Sequence, residues 1–375
     1  MNILLLCLIV LLALGVAERL ARDRAWRQVP IRIHVNGTRA KSTVTRLIWS
    51  ALREAGIPAL GKTTGTAARL LLPDGREEPV ARRGPATIRE QLGCLRLASR
   101  LHAQAVVVEC MAIDPVLQGV SERDMLRATI GVITNVRLDH TEVMGTDIQT
   151  IGRTLANTIP IDGVLVTGAA DMADVFRERA TTARTRVVVA DAAAIGERQG
   201  REPWMTENLA VAIAVTRALG IDDQVALRGF DRAAPDPGSV KSGSLALPGG
   251  TVSWMDATAA NDPESLSRLL AAARSERAIL VYNHRDDRVP RLVTFAQHSE
   301  EFRRADRLVV TGARPPWSVR RRLRQLRPSR PFDFVASRAL PAWLRVHAAG
   351  STLTFSGNTR GLDVARLLEE AASND

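Results

Sequence analysis

The sequence predicts an α/β fold. A doubly wound parallel-sheet domain carrying a phosphate-binding loop comes first, then a smaller Rossmann-like α/β domain, with one membrane anchor at the N-terminus. Three observations predict it. Apolar runs without alternation, such as Ala105 to Glu109 (AVVVE), are interleaved with helical stretches, as expected for strands buried on both faces of a parallel sheet. The first such run passes into a glycine turn, a lysine and a helix, the opening of a βα unit. The 375 residues suffice for two full cores, and composition shifts to Pro, Gly and Ser around residues 228–250, as between domains.

The N-terminal element comes first. Ile3 to Ala17 is an unbroken apolar run of 15 residues. It spans roughly 22 Å as a helix, short of the ~30 Å hydrocarbon core, and Leu20 and Ala21 extend it. A cleaved signal peptide would need a positive segment ahead of the run, which Met1-Asn2 does not supply; a buried helix is the third reading. Arg19, Arg22, Arg24 and Arg27 follow the run instead, which places the rest of the chain in the cytoplasm. Residues 1–21 therefore read as the anchor and 22–28 as a charged linker.

Residues 29–238 read as the larger domain. Ile31 to Val35 is a strand ending in Asn36-Gly37-Thr38, and a helix runs from Ser42 to Ala55, stopped by Gly56. Further strands are expected at Ala105 to Glu109, Ala128 to Asn135, Gly163 to Thr167 and Arg186 to Ala190, with helices at Thr87 to Leu101 and Thr206 to Leu219. In residues 239–375, strands are expected at Ala278 to Tyr282, Arg307 to Thr311 and Thr352 to Phe355, and helices at about 263–275, 290–303 and 361–372. The tract Arg320 to Arg330 reads as a solvated helix face.

Charge and composition narrow the function. Lys+Arg total 51 against 40 Asp+Glu, a net charge of +11, yet only Lys41, Lys62 and Lys241 are lysines. The excess favours an anionic partner or surface. Aromatics make up 4% and no basic stretch is interleaved with them, which argues against nucleic acid. Three cysteines (Cys7, Cys94, Cys110) with no CxxC pair argue against a disulfide framework or a zinc site.

The chemistry points to His34 to Thr43, HVNGTRAKST. Backbone N–H groups at a helix start are unpaired donors with partial positive charge and can cradle phosphates. Asn36, Gly37, Thr38, Arg39, Ala40, Lys41, Ser42 and Thr43 form this loop. Lys41 would reach the β- and γ-phosphate oxygens of ATP, and Ser42 or Thr43 would hold Mg²⁺. Ala40 stands where the full pattern has a second glycine, at a cost on the order of 1 kcal/mol if a positive φ is required. The polar stretch Gly61 to Thr66 (GKTTGT) reads as a loop with further donors for an anion.

These residues resemble the phosphate loop of the Mur ligases, the ATP-dependent peptide ligases of peptidoglycan synthesis, and further matches follow in that family's order. Glu109, ending VVVE, stands where the family has a magnesium-binding glutamate. Asn135, Asp139 and His140 in TNVRLDH resemble its N…DH segment. Glu207-Asn208, at the start of a helix, resembles its nucleotide-contacting motif, and Asp256 with Asn261-Asp262-Pro263 resembles the opening of its C-terminal domain. VPIRIHVNGTRAKSTVTRLI, KTTGTAARLLLPDG, VECMA and TNVRLDHTEVMG are similar to one branch, the ATP-binding amide ligase subunit of poly-γ-glutamate synthase.

The resemblance implies catalytic roles for Lys41, Glu109 and His140, and a metal held by Ser42, Glu109 and His140. It implies nucleotide contacts from Asn135, Asn208, Asp256 and Asn261. It also implies glutamate and a growing poly-γ-glutamate chain as substrates, and small membrane and anchored extracellular subunits as partners. Three features depart from the Mur ligases: Ala40 in the loop, no lysine between Lys62 and Lys241 where they carry a modified one, and a phosphate loop starting near residue 36 without the long N-terminal nucleotide-sugar domain, which argues against a UDP-linked substrate. The alternatives are a nucleotide-binding assembly subunit with little catalysis of its own, motivated by Ala40, and a folylpolyglutamate-type ligase.

Overall fold

A computed structural model describes residues 3–65, 68–82, 84–195, 203–236, 239–258, 260, 263–272, 277–328, 330, 332–358 and 360–373. The chain divides into two compact units, Met1–Pro237 and Gly238–Asp375.

The first unit begins with one helix, α1 (Ile3–Gln28). Its apolar stretch is exposed from Ile3 to Leu20, whereas Ala25 and Trp26 are buried against the body. Residues 22–28, expected as a linker, are therefore the docked end of the same helix as the apolar run. The strands are β1 (Ile31–Asn36), β2 (Ala59–Thr63), β3 (Arg69–Leu71), β4 (Glu77–Pro79), β5 (Ala105–Glu109), β6 (Ile130–Ile133), β7 (Val164–Thr167) and β8 (Arg186–Val189). They form one sheet in the order β4-β3-β2-β5-β1-β6-β7-β8, with β3 and β4 antiparallel and the other six parallel.

The unit's remaining helices are α2 (Lys41–Glu54), α3 (Arg89–Arg100), α4 (Pro115–Val120), α5 (Thr141–Met144), α6 (Ile148–Leu155), α7 (Ala173–Ala183), α8 (Pro203–Ala218) and α9 (Asp223–Asp231); a π-helical turn, Ser121–Leu126, follows α4. On one face of the sheet Val35, Val107 and Val132 pack with Ile48 and Leu52 of α2, Leu209 and Ile213 of α8 and Phe230 of α9. On the other, Val106 and Val108 pack with Leu95 and Ala98 of α3, together with Ala25 and Trp26. Arg46 of α2, 3% exposed, forms a bidentate pair with Glu77, at 2.6 and 2.9 Å, which secures the outermost strand.

Because β1 lies between β5 and β6, the segments leaving these three strands meet at their carboxyl ends, where open α/β sheets bind ligands. Val35 is in register with Glu109, and Asn36 with Ile133.

The second unit has strands β9 (Lys241–Leu247), β10 (Gly250–Asp256), β11 (Ala278–His284), β12 (Arg307–Gly312), β13 (Phe332–Phe334) and β14 (Thr352–Gly357), ordered β13-β12-β11-β14-β10-β9. Its helices are α10 (Pro263–Ala272), α11 (Val289–His298), α12 (Glu300–Arg304), α13 (Trp317–Leu326), α14 (Leu340–His347) and α15 (Val364–Ala372).

Four expectations are corrected. Residues 241–250, expected within a linker, are half of an antiparallel hairpin, β9 with β10. The helix expected over 290–303 is two, because Ser299 leaves the helical region at φ −116° and its hydroxyl caps the second by accepting from Phe302 N at 3.0 Å. The Gly61 to Thr63 part of the expected polar loop is strand β2, with Lys62 fully buried. Finally, Arg327 is not part of a solvated face: it is 4% exposed and donates to the carbonyls of Phe302, Arg303 and Ala305 at 2.5, 3.0 and 2.9 Å.

Candidate active site

The loop between β1 and α2 is held from below by side chains. Asn36 Nδ2 donates to Gln118 Oε1 at 2.9 Å and Thr158 Oγ1 at 3.1 Å, while its Oδ1 accepts from Gly37 N at 2.9 Å. Gly37 has φ +128°, and a Cβ there would lie 2.1 Å from Thr134 Oγ1, so only glycine fits. Asn135 clamps the next turn. Its Oδ1 accepts from Thr38 Oγ1 at 2.8 Å and Arg39 N at 3.0 Å, and its Nδ2 donates to Arg39 O at 3.2 Å. Thr134 Oγ1 donates to the same carbonyl at 2.5 Å.

Ala40 has φ +62° and ψ 9°, the left-handed region. The missing second glycine has therefore not changed the backbone; a methyl is carried through the turn at a steric cost. Lys41 Nζ donates to Gly37 O at 2.7 Å and Thr38 O at 3.3 Å, which lays its ammonium over the glycine turn.

Ser42 and Glu109 meet at the ends of α2 and β5. The Ser42 hydroxyl donates to Glu109 Oε2 at 2.8 Å, and Thr64 N donates to the same oxygen at 2.7 Å. Glu109 is 3% exposed. Among the described residues no cationic side chain is within ion-pair distance of it, so its buried charge is balanced by two hydrogen bonds alone.

Asp139 and His140 enter from the segment after β6. Asp139 pairs with Arg39 at 3.2 Å. His140, at φ +47°, has Nε2 3.7 Å from Asp139 Oδ2 and Nδ1 3.5 Å from Glu142 Oε1. Gly37, Thr38, Lys41, Glu109, Asp139 and His140 all line one cavity of about 300 Å³, together with Thr64, Arg82 and Met111.

Beneath the cavity is a buried polar layer. His34 Nδ1 is 2.7 Å from Glu122 Oε2, and its Nε2 faces the Gln91 amide at 3.1 Å. Burial pushes the imidazole pKa down, but Cys110 and Glu122 outweigh it and bring the value up to about 10. Beside it, Lys62 Nζ is 2.9 Å from Glu90 Oε2, and Arg82 pairs with the same carboxylate at 2.8 and 3.1 Å. Burial would raise the Glu90 pKa; the two cations overcome this and hold it at about 2.

The sequence-predicted residues thus fall into three groups. Asn36 to Ser42, Glu109, Asn135 and His140 gather at the carboxyl ends of the central strands, with Thr43 on the first turn of α2. No group of three or more His, Cys, Asp or Glu able to hold a metal occurs among the described residues, so His140 shares the cavity without completing a preformed cluster. Asn208 lies in the second turn of α8 rather than at its start; it is 8% exposed and is not among the residues lining the cavity. Asp256, in the second unit, accepts from Thr258 N at 3.0 Å and Thr258 Oγ1 at 2.6 Å. Asn261 lies outside the described residues. Arg82 is a cavity residue that no local pattern marks; Met111 lies within the VECMA motif without having been singled out, and Thr64 belongs to the GKTTGT stretch expected to offer donors.

Comparison with known proteins agrees with this geometry. Residues 35–203 match the Mur ligase middle domain family, and residues 245–370 match the poly-gamma-glutamate synthase CapB C-terminal domain family. The chain is 36% identical over 318 residues to the capsule biosynthesis protein CapB of Bacillus anthracis, covering 82% of this chain and 68% of that one. It is 34% identical over 322 residues to the PGA synthase CapB of Bacillus subtilis, covering 83% and 82%. Among solved structures, MurF from Acinetobacter baumannii has a TM-score of 0.67 at 15% identity, covering 95% of this chain and 79% of that one. A bifunctional folylpolyglutamate synthase/dihydrofolate synthase from Yersinia pestis, complexed with AMPPNP and Mn ion, has a TM-score of 0.66 at 15% identity, covering 95% and 91%. These two share the fold. The chain belongs to the CapB family of poly-gamma-glutamate synthase proteins, built on the Mur ligase fold.

Proposed function

We propose that the chain is an ATP-dependent amide ligase that activates the γ-carboxylate of glutamate as an acyl phosphate and couples it to an amine, extending poly-γ-glutamate. One observation supports this reading most: Glu109, which accepts from the Ser42 hydroxyl at 2.8 Å, lines the same cavity as Lys41, Asp139 and His140. The donor set suits a divalent cation, since the hydroxyl and carboxylate are hard oxygen ligands and Glu109 is a buried charge with no cationic partner among the described residues. Bound by Ser42, Glu109 and His140, magnesium would offset the repulsion between two anionic substrates.

The chain's own residues supply positioning and charge. The N–H groups of the first turn of α2, Lys41 to Thr43, and the Lys41 ammonium form a cationic seat for the phosphates of ATP. Asn135 and Thr134 hold that seat rigid through Thr38 and Arg39. A glutamate γ-carboxylate oxygen bonds to the terminal phosphorus while the P–O bond to ADP breaks. The incoming amine nitrogen then attacks the acyl carbon, the C–O bond to phosphate breaks, and the amine releases its proton to solvent. No side-chain nucleophile is required, so catalysis rests on orientation and electrostatics.

The same reading assigns residues 29–238 to the ATP-binding domain and 239–375 to the C-terminal domain. Asn208, Asp256 and Asn261 remain proposed nucleotide contacts. The apolar helix (mean hydropathy 2.5 over its most apolar window) serves as a single-pass anchor with the body in the cytoplasm. Small membrane and anchored extracellular subunits complete the synthase. Washed membranes containing the full chain should release ADP and phosphate from ATP in a glutamate-dependent manner. ATP binding without such turnover would overturn this reading in favour of an assembly subunit.

A further inference from the structure

The docked end of α1 is surrounded by arginines that the proposed reaction does not use. Arg19, Arg22 and Arg27 line a cavity of about 400 Å³ with Asp23, Trp26 and Arg127. On the α3 side of the helix a second cavity, about 660 Å³, is lined by Arg24, Arg96 and Arg100 with no acidic residue. Two of these guanidiniums are held in place by the Trp26 ring, with Arg127 3.8 Å and Arg22 4.9 Å from its centre. Trp26 Nε1 in turn donates to Met125 O at 3.0 Å, and Arg127 gives its carbonyl to Arg32 Nε at 2.7 Å. Arg22 of the helix and Arg127 of the body are thus held on one ring, within a wider arginine collar in which Arg96 pairs with Glu18 at 3.1 Å.

Its position says what it meets. α1 is continuous from the exposed apolar run into the collar. With the anchor ending at Ala21, Arg22, Arg24 and Arg27 follow by one, three and six residues, so along a helix they lie about 2, 5 and 9 Å past its end, and Arg19 lies in its last turn. A bilayer's polar layer extends roughly 5–8 Å beyond each side of the hydrocarbon core. We infer that the collar is a binding site for the phosphate headgroups of anionic phospholipids in the cytoplasmic leaflet, which seats the ATP-binding unit against the membrane. Guanidinium forks suit phosphate oxygens, and the Trp26 stack pre-orders two of them before any lipid arrives.

This inference rests on α1 crossing a membrane, and the experiment separates the two. The full chain is incorporated into vesicles of phosphatidylcholine with one fifth phosphatidylglycerol, washed with alkaline carbonate, and extracted in mild detergent. The lipid that stays with the protein is weighed by mass spectrometry. Loss of the chain in the carbonate wash would refute the anchor. With the chain retained, phosphatidylglycerol should be enriched about threefold or more over the bulk ratio, and raising the salt from about 0.05 to 0.5 M should reduce that enrichment. The exposed-residue variant Arg19→Gln/Arg24→Gln/Arg27→Gln should fall to the bulk ratio, with ATP binding unchanged. A bulk ratio in the wild type, the same enrichment in the variant, or displacement of the lipid by soluble glycerol phosphate or by polyglutamate would overturn the assignment.

Discussion

Ala40 holds a left-handed backbone at φ +62° between Arg39, whose amide and carbonyl are clamped by Asn135, and Lys41, whose ammonium folds over Gly37. An L-residue in this region costs about 1–2 kcal/mol, partly offset by the entropy a glycine would lose on folding. Ala40→Gly should therefore raise stability by about 0.5–1 kcal/mol, read as an upward thermal shift in detergent micelles, and keep or raise ATP turnover. Lys41→Ala should abolish turnover while leaving the melting temperature close to wild type, since Lys41 is half-exposed and bonds only to two loop carbonyls. Glu109→Gln keeps an oxygen for Ser42 and Thr64 but removes the buried charge. Turnover should fall about 100-fold or more without loss of fold, and unaltered turnover would remove the basis for the metal site. The loop, Glu109 and His140 could be read from the sequence because each sits in a contiguous motif at a strand end. Arg82 and the Lys62–Glu90 pair could not, because only the folded sheet and α3 bring those residues together.

At the level of elements, β2 is pinned to α3 by the buried Lys62, and Glu90 on α3 is shared with Arg82 beside the cavity. The Glu90 carboxyl is held at about 2 against an ordinary 4.5, so its stabilisation is present above pH 4.5 and is lost as pH falls from there through 2. Glu90→Gln should flatten the acid limb of the stability curve over that window, measured by thermal melting against pH, and lower stability at neutral pH. An unchanged acid limb would show that the pair does not brace the sheet. Strands β1, β5, β6, β7, β8, β11, β12 and β14 were legible because each carries its own apolar run, whereas β2 (ALGKT), buried and parallel to β5, was not, because its polar half reads as a loop. β4 (EEP) and β9 (KSGSLAL) were not, because neither has a core-forming pattern and each exists by pairing with the strand beside it. The break at Ser299 was hidden for a related reason. Helical periodicity continues across it, and the cap depends on a side-chain bond from Ser299 to an amide three residues on.

Across the whole molecule, the N-terminal apolar helix, the phosphate loop and the family fit a ligase held at a membrane, and in the proposed function its ATP and its anionic substrate both lie on the cytoplasmic side. Burial of Ala25 and Trp26 in the core cluster that also contains Leu95 and Val106 makes α1 part of the first unit rather than a detachable tether. Trp26→Ala should therefore cost about 3 kcal/mol or more of stability in that unit, seen as a lower melting temperature, while the apolar run still inserts. The central claim is that amide formation passes through phosphoryl transfer to the glutamate γ-carboxylate. The measurement that tests it most directly uses glutamate labelled with ¹⁸O in that carboxylate alone, turned over by membranes containing the full chain with ATP. The account predicts that each amide bond formed delivers one ¹⁸O atom into inorganic phosphate, and that Lys41→Ala delivers none. Polymer formed with unlabelled phosphate would contradict it.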